Sequence, residues 1–442
     1  MIQAVKGMND VRPGAAETFL DSTVWDFVTD QAAAVLNSYG YRHVRLPLVE
    51  ETSLFARGIG EDTDIVSKEM YSFTDRGERS LTLRPEGTAG AVRAYIEHAL
   101  AKTDAVQRWW YFGPMFRAEA PQKGRYRQFY QIGAELFGIG APQADAEMLV
   151  MLAELCKRLG LEEVKVRLNC LGDGDSRARY RAVLQEYLGG RLGELCETCQ
   201  RRAASNPLRV LDCKRASCHA VVAEAPDIFN SLSEPSRVHF DKVQELVSAA
   251  GVSYQRDQRL VRGLDYYTGT IFELTTSALG AQDAILGGGR YDDLVAELGG
   301  PPTPAVGFAA GVERLALLMS QRVERGLLTT WGGPHLYLVP MAGAEARAMA
   351  LADDVRRRGP WRVEVDVSGG RLKHQMRRAD RLGALAALVL GEDELAKGKA
   401  AVKTLKRTAS DGDSQVQIEL KGEAVVAALA ALAQIEGAGA NT

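Results

Sequence analysis

The stretch from Arg108 to Gly138, RWWYFGPMFRAEAPQKGRYRQFYQIGAELFG, predicts two buried strands joined by a polar, basic loop. Aromatic and apolar residues fill both flanks, and the connection from 120 to 126 contains Pro121 and Gly124, which favours a hairpin. Four polar side chains nevertheless fall within the predicted strands: Arg117, Glu119, Gln131 and Glu135.

These polar positions allow two interpretations. Gln131 and Glu135 are an even number of residues apart, so on a strand they share one face, and Arg117 on the paired strand can face them. Burying such groups without partners costs free energy. They therefore form either a structural ion-pair network or the floor of a pocket for a zwitterionic, phosphate-bearing ligand, and the segment alone leaves both open.

A second predicted hairpin also carries charge toward a pocket. KEMYSFTD (68–75) and LTLRPEGTA (81–89) are joined by the turn Arg76-Gly77. The second half offers Glu86 as an anion and Thr88 as a hydroxyl. Taken alone, the string RPEG is equally typical of a Pro-Gly turn with solvated charges.

Two later blocks place charge in apolar surroundings. VRGLDYYTGTIFE (261–273) holds Arg262 and Asp265, and a strand edge with a surface arginine is the alternative interpretation. AVGFAAGVERL (305–315) predicts a short strand that leads into a helix carrying Glu313 and Arg314. Between them LGGGRYDDL (286–294) contains glycines that alone indicate no more than a bulge.

The N-terminal region predicts a helix and a strand. Apolar residues recur at helical spacing from 17 to 39, and the helix is expected to stop at Gly40. The segment YRHVRLPLVE (41–50) predicts a strand, in which Pro47 implies an edge position.

Together these blocks resemble the class II aminoacyl-tRNA synthetases, in the form of the histidyl enzymes. FRAE (116–119) with the loop and QIGAELFG (131–138) is similar to motif 2, GVERL (311–315) to motif 3, and RGLDYY (262–267) to the histidine-specific segment. The resemblance covers essentially the whole chain. It implies an α+β catalytic domain, an antiparallel sheet flanked by helices, and a homodimer whose interface is the N-terminal helix, strand and proline of motif 1.

The resemblance also implies the reaction and the residues that serve it. ATP with Mg²⁺ and L-histidine would give histidyl-adenylate and pyrophosphate, and the histidyl group would pass to the 3′ end of tRNA(His). The residues implied for catalysis are Arg117 and Arg262; for histidine binding, Glu86, Thr88, Gln131, Glu135, Arg262, Tyr266, Tyr267 and Tyr291; for ATP binding, Arg117, Glu119 and Arg314; and for the tRNA acceptor end, Gln122, Lys123 and Arg125. None of these assignments includes a metal ligand.

The order of the blocks predicts the domain organisation. A catalytic domain over 1–325 would contain a mostly helical insertion at 175–252. After the breaker-rich LLTTWGGP (327–334), alternating strands and helices predict a small α/β domain with parallel pairing over 333–442. By resemblance this is an anticodon-binding domain. Its basic residues suit phosphate-backbone docking, although each taken singly is typical of a solvated surface: Arg356, Arg357, Arg358, Arg371, Lys373, Arg377, Arg378, Arg381, Lys397, Lys399, Lys403, Lys406 and Arg407.

Composition bounds the class of protein without deciding its function. The 442 residues are 46% hydrophobic and 25% charged, with a net charge of −3, which is ordinary for a globular protein and argues against a wholly basic nucleic-acid coat. The N-terminus shows no apolar signal region and no apolar run approaches the length of a membrane span, so we expect a cytoplasmic protein with no membrane partner.

Four of the six cysteines raise a separate question. Cys196, Cys199, Cys213 and Cys218 have something of the spacing of a zinc ribbon, but the second pair is looser than a CxxC knuckle. Small buried cysteines without a metal remain the alternative. Cys156 and Cys170 are expected in the core.

A non-catalytic paralogue, the regulatory subunit of ATP phosphoribosyltransferase in histidine biosynthesis, is the alternative function. Such paralogues lack an intact histidine-specific segment and the C-terminal domain, whereas this chain has both 262–267 and 335–442. A pseudo-synthetase that only binds RNA would be expected to have lost Glu86, Arg117 or Arg314, and all three are present.

Overall fold

A computed structural model describes residues 2–60, 63, 65–122, 124–213, 215–280, 283–328, 330, 332–405 and 415–439, with side chains up to 432. The chain divides into two compact units, Met1–Arg322 and Val323–Thr442. None of the described helices combines the length and the apolar composition that crossing a bilayer requires.

The strands, in chain order, are β1 Arg42–His43, β2 Val49–Glu51, β3 Tyr71–Thr74, β4 Ser80–Leu83, β5 Gln107–Phe116, β6 Gln128–Phe137, β7 Lys165–Cys170, β8 Tyr254–Arg256, β9 Thr268–Thr275, β10 Ala284–Arg290, β11 Ala305–Gly311, β12 Leu336–Pro340, β13 Val363–Val365, β14 Ala386–Leu390, β15 Lys399–Thr404 and β16 Gln415–Glu419. The α-helices are α1 Ser22–Ser38, α2 Thr52–Ile59, α3 Thr88–Glu97, α4 Leu100–Thr103, α5 Pro142–Arg158, α6 Gly174–Gly189, α7 Glu197–Ser205, α8 Ala216–Ala223, α9 Glu234–Ala249, α10 Leu294–Glu297, α11 Val312–Glu324, α12 Glu345–Arg357, α13 Leu372–Arg381, α14 Glu392–Lys397 and α15 Gly422–Gly439.

The first unit is built on an eight-stranded sheet in the order β1-β5-β6-β11-β10-β9-β7-β8. The six central strands pair antiparallel, as predicted, while the edge pairs β1–β5 and β7–β8 are parallel. The sheet is therefore mixed at its edges, because β1 and β8 enter through long connections rather than tight turns. A smaller antiparallel sheet, β2-β4-β3, carries the second predicted hairpin.

The hairpin predicted first is confirmed as β5 and β6, which pair over ten residues from Gln107↔Phe137 to Phe116↔Gln128. The prediction was wrong about where it ends, since Arg117 and Glu119 lie beyond β5 in the connection. The Arg117 N–H nevertheless donates to the Arg127 carbonyl at 2.9 Å, so the register continues and Arg117 shares the face of Gly113 and Gln131. Gly113 is opposite Gln131, and Trp109 is opposite Glu135.

Local signals explain the N-terminal elements. The predicted helix begins at Ser22 rather than near 17, because the Asp21 side chain accepts a hydrogen bond from the Thr23 N–H at 2.9 Å and caps α1. The predicted strand 41–50 is wrong as a continuous element. It is two short strands, β1 and β2, with Pro47 between them.

A buried ion pair ties the helices to the central sheet. Asp145 on α5 and Arg290 on β10 are almost fully buried, with 2.9 Å between Arg290 Nη2 and Asp145 Oδ1. The same carboxylate also contacts His239 on α9 at 2.5 Å and accepts from the Thr270 hydroxyl on β9 at 3.2 Å. Removing one partner of such a pair costs about 3–5 kcal/mol, since a buried charge is left uncompensated.

The segment between β7 and β8 contains α6 to α9, so its predicted helical character is confirmed. Its last helix, α9, packs on α5 and returns the chain to the sheet, where β8 joins β7. Cys199, Val210, Cys218 and Val222 belong to the buried cluster of this segment. The boundaries 175–252 of a separate insertion stay a prediction.

The second unit has a five-stranded sheet in the order β13-β12-β14-β15-β16. Parallel pairing holds for β12 with β13 and with β14. It is wrong for β15 and β16, because β15 pairs antiparallel with both β14 and β16. Helix α13 is rich in basic residues, and Lys373, Arg377 and Arg381 on it are exposed. Lys406 and Arg407 lie outside the described residues.

Candidate active site

One face of the central sheet contains many glycines. Directly paired residues share a face, so the register places on this face the glycines Gly113, Gly133, Gly287, Gly289, Gly307 and Gly311. Polar residues of the same face include Gln131, Glu135, Glu273 and Arg167. Long polar side chains can therefore lie flat against backbone.

Close contacts show why glycine is needed there. A Cβ at Gly307 would lie 1.7 Å from Glu135 Oε2, and one at Gly133 would lie 2.4 Å from the Tyr111 ring. A Cβ at Gly287 would lie 2.4 Å from Arg262 Nη1. The glycine run that alone indicated only a bulge thus makes room for a guanidinium.

Glu135 lies at the centre of this face and is fully buried. Its carboxylate accepts hydrogen bonds from the Thr88 hydroxyl at 2.8 Å, the Tyr111 hydroxyl at 3.0 Å and the Tyr291 hydroxyl at 2.5 Å. Burial raises the pKa of Glu135 to about 8, although these three hydroxyls favour the charged form. A carboxylate has about four acceptor positions, so about one remains for a ligand N–H.

Aromatic rings enclose the Glu135 carboxylate. The rings of Tyr266 and Tyr267 have centroids 4.7 Å apart, and the centroids of Tyr266 and Tyr291 are 5.7 Å apart. All three tyrosines are buried, although Tyr266 and Tyr267 lie in an irregular segment before β9 and not on a strand. The enclosure is apolar on its walls and polar at its floor, which suits a small planar ligand.

Glu86 serves the helix that borders the site. Its two carboxylate oxygens accept from the backbone N–H groups of Thr88 at 2.5 Å and Ala89 at 2.9 Å, so it caps the N-terminus of α3. Burial raises the pKa of Glu86, against the effect of these hydrogen bonds and of Arg117. The solvated Pro-Gly turn is therefore wrong, because this carboxylate is buried.

Arg117 lies at the mouth of the connection between β5 and β6. Its Nε donates to the Pro85 carbonyl at 3.0 Å, and its guanidinium carbon is 5.1 Å from the Phe129 ring centroid. Burial lowers the pKa of Arg117, while the carboxylates of Glu119, Glu69 and Glu86 oppose this. The bond to Pro85 fixes the stem, so the fork is oriented in advance.

Arg262 is held by a charge network across β9 and β7. Its Nη1 donates to Glu273 Oε1 at 2.8 Å, the other oxygen of Glu273 accepts from Arg167 Nη1 at 3.2 Å, and Arg167 also pairs with Asp257. Burial acts to lower the pKa of Arg262, but Tyr267 and Glu273 raise it overall. The exposed strand edge is wrong, because the Arg262 side chain is only 21% exposed.

Arg314 and Glu313 follow from the strand-to-helix step of β11 and α11. Arg314 Nη1 donates to the Ala284 carbonyl at 2.5 Å, and burial together with Arg125 lowers its pKa. Glu313 accepts from the Tyr130 N–H with both oxygens, at 2.9 and 3.1 Å, and burial raises its pKa to about 8. Glu313 therefore anchors the start of α11 to β6, and the next residue, Arg314, lies beside the site.

Two buried polar atoms of this site have no hydrogen-bond partner within the described part of the chain, namely Gln131 Oε1 and Arg262 Nε. An unpaired buried polar atom costs about 1–3 kcal/mol. Both belong to residues on or against the glycine-lined face. A polar ligand that supplies a donor to the first and an acceptor to the second would recover that free energy.

The connection between β5 and β6 reaches outward. Gln122 and Arg125 exchange backbone hydrogen bonds of 3.0 and 2.8 Å in a tight turn, and both side chains are exposed. Arg125 pairs with Glu119 at 3.3 Å. Lys123 lies outside the described residues.

Sequence reasoning missed three residues of the site: Tyr111, Arg167 and Glu273. Tyr111 appeared as one of several aromatic residues of a buried strand, and only its pairing with Gly133 shows that it lies on the polar face. Glu273 ended the block that contains Arg262, and alternation from a correctly placed β9 could have put it on that face. Arg167 carried no local signal.

Comparisons with known proteins agree on one family. A family model described as histidyl-tRNA synthetase matches residues 22–315, and one described as an anticodon binding domain matches residues 335–432. A histidine–tRNA ligase of Alkalilimnicola ehrlichii is 49% identical over 417 residues, 94% of this chain and 93% of that protein. One of Geobacter sulfurreducens is 46% identical over 97% of this chain and 99% of its own length.

A solved structure gives the same result. The apo histidyl-tRNA synthetase of S. aureus superposes with a TM-score of 0.75 at 34% identity, covering 97% of this chain and 100% of that chain.

The buried Glu135 carboxyl predicts a pH-dependent stability. Because its folded pKa of about 8 is above its ordinary value, its proton stabilises the fold fully below the unfolded pKa, and this is lost as pH rises toward 8. The Glu135→Gln variant lacks this loss. The free energy of unfolding of the variant, minus that of the unmodified protein, should therefore increase from pH 5.5 to 8.5. The increase should be at most about 1.4 kcal/mol per pH unit. Urea titrations at the two pH values measure this, and a pH-independent difference would contradict it.

Proposed function

The chain belongs to the histidyl-tRNA synthetase family, and on that premise we propose which residues on and around its glycine-lined face bind each substrate. It is a class II aminoacyl-tRNA synthetase, an enzyme with histidine–tRNA ligase activity. The observation that carries the assignment of roles is the convergence of Glu86, Arg117, Glu135 and Arg262 on one buried face.

In the first step the histidine carboxylate attacks the α-phosphorus of ATP, and pyrophosphate leaves. Negative charge builds on the phosphorus oxygens, so the protein needs positive groups held in advance rather than a covalent nucleophile. We propose that Arg117 and Arg262 bind the α-phosphate and the substrate carboxylate. Arg314, with Glu119 nearby, meets the rest of the nucleotide. The planar guanidinium suits this role, because its fork contacts two oxygens at once.

Histidine recognition is assigned to the floor of the site. Glu86, Thr88 and Gln131 surround the α-amino group, and the unpaired Gln131 Oε1 supports this because it offers an acceptor to an ammonium. Glu135 and Tyr267 meet the two ring nitrogens, within walls formed by Tyr266 and Tyr291. The remaining acceptor position of Glu135 matches one imidazole N–H. A side chain without that N–H leaves the buried carboxyl unpaired and is rejected.

In the second step the 3′-terminal hydroxyl of the tRNA attacks the histidyl carbonyl, and AMP leaves. We propose that Gln122, Lys123 and Arg125 meet the acceptor end. The exposed turn formed by Gln122 and Arg125 supports this, since a basic loop beside Arg117 can bind a phosphate backbone. The comparison of tRNA charging with pyrophosphate exchange in Arg125→Ala checks it, because only charging should slow.

Mg²⁺ is proposed to enter with ATP, bound to its phosphates. The ion would neutralise phosphate charge in addition to the arginines.

The exposed basic face of α13 supports a second proposal, that the C-terminal unit contacts the tRNA phosphate backbone. Charging activity that falls as salt rises, with exchange less affected, measures that contribution.

The regulatory paralogue is not supported. Proteins named histidine–tRNA ligase match this chain at about half identity over nearly its full length, and the anticodon-binding model matches 335–432. Histidine and tRNA are therefore the partners of this chain.

We also propose a homodimer in the cytoplasm, through the helix, strand and proline of motif 1. Leu48 and Val49 beside Pro47 are exposed apolar residues, which is typical of a covered interface. Sedimentation at twice the mass of one 48.0 kDa chain would support the dimer, and sedimentation at 48.0 kDa at micromolar concentration would exclude it. Cell fractionation tests the compartment.

Replacing Glu135 by Gln tests histidine recognition. The amide replaces one acceptor oxygen by an NH₂ donor and removes the negative charge, so KM for histidine should rise by about 10²-fold or more, while KM for ATP changes by less than about threefold. Histidine-dependent exchange of pyrophosphate into ATP measures both constants. Equal losses for the two substrates would show that Glu135 does not read the imidazole.

Replacing Gly287 by Ala tests the position of Arg262. The added methyl group would displace the guanidinium, so kcat/KM in pyrophosphate exchange should fall by about 10²-fold with the fold retained. Arg262→His should reduce exchange further. The control is Gly189→Ala, since nothing lies within 4 Å of a Cβ there. Full activity of Gly287→Ala would refute the role of Arg262.

A further inference from the structure

We propose that Cys196, Cys199, Cys213 and Cys218 bind one structural zinc ion, and that this site positions the segment carrying Arg262. The four Sγ atoms all lie within 4.8 Å of one another, although the residues span 23 positions of the chain. They come from three different places: the start of α7, the segment before α8, and α8 itself.

The distances fit a single ion. Thiolates bound to one tetrahedral zinc at about 2.3 Å lie about 3.8 Å apart, which four sulfurs within 4.8 Å can reach by small side-chain rotations. All four cysteines are free thiols, and two of them, Cys199 and Cys218, are fully buried. Four sulfur ligands in this arrangement select zinc, or iron as the competitor.

The surroundings resemble those of a metal-bound knuckle more than those of ordinary core cysteines. The backbone N–H of Cys196 donates to Cys218 Sγ at 3.3 Å, which orients that sulfur toward the other cysteines. Helix α7 begins directly after Cys196, so its N-terminal N–H groups also favour negative charge there. Cys156 and Cys170 are equally buried but lie outside the cluster, and single buried hydrophobes of that kind need no such convergence.

A metal at this point would stabilise a segment with little regular structure between its helices. Between α7 and α8 the described residues form a short 3₁₀ turn, Pro207–Val210, and an irregular stretch to Cys213. Structural zinc sites contribute folding free energy directly. The ion would therefore fix the turn relative to both helices.

That turn contacts the active-site segment. Arg209 Nη2 donates to the Gly263 carbonyl at 2.5 Å and pairs with Asp265 Oδ1 at 3.4 Å, and both residues belong to the irregular stretch that follows Arg262. Arg209 is thus a positioning residue between the zinc cluster and Arg262. This second part of the proposal rests on the proposed role of Arg262, whereas the metal site does not.

Metal analysis of the unmodified full chain, purified without added metal, tests the site first. We expect about one zinc per chain, and after exchange with Co²⁺ the intense visible absorption of a tetrahedral thiolate complex. A metal content near zero with four reactive thiols in folded protein would overturn the site. So would one iron per chain, or disulfides among the four cysteines.

The double variant Cys199→Ser/Cys213→Ser should lose the metal and unfold at lower temperature, and Cys156→Ser is the matched control that should keep the metal. If the double variant does not fold, the metal content of the unmodified chain still decides.

Arg209→Ala should keep its zinc and raise KM for histidine several-fold with kcat less changed, and Arg209→Lys should restore part of the loss. A zinc-bound Arg209→Ala with unchanged KM would overturn the positioning role alone.

Discussion

Glycines on one face of the central sheet leave space above the backbone, and the charged site depends on that space. Glu135 lies over Gly307, the Tyr111 ring over Gly133 and the Arg262 guanidinium over Gly287, each too close for a Cβ. Four antiparallel strands contribute these positions, so the sheet must have its native register before the site exists. A slip of one residue would turn each of them to the opposite face.

Hydrogen-bond partners stabilise the buried charged groups of this site, and each group keeps some capacity to bond a ligand. Three hydroxyls hold the Glu135 carboxylate, the start of α3 holds Glu86, and Glu273 holds Arg262. The protein therefore meets much of the desolvation cost before substrate arrives. Gln131 Oε1 and Arg262 Nε stay unpaired within the described residues, which is where a zwitterionic substrate gains most. With the proposed roles, this arrangement provides preorganised electrostatic stabilisation and needs no covalent nucleophile.

The segment that carries Arg262 is irregular and needs support from outside the sheet. Residues 261–267 precede β9 and are held in place by Glu273, which bonds Arg262, and by Arg209, which bonds the Gly263 carbonyl. The helical segment between β7 and β8 is thus part of the active-site architecture through Arg209. A zinc site would make that support rigid, because it joins the two helices that flank the turn.

The sequence by itself determined the family, the two main hairpins, the strand-to-helix step at Arg314 and the alternating elements of the C-terminal unit. It could do so because periodicity, turn residues and short polar strings are local properties. Only the tertiary structure decided that Arg117 lies beyond β5, that Tyr111, Arg167 and Glu273 belong to the site, and that four cysteines meet. These facts depend on strand register and on contacts between residues far apart in the chain, which no local pattern encodes.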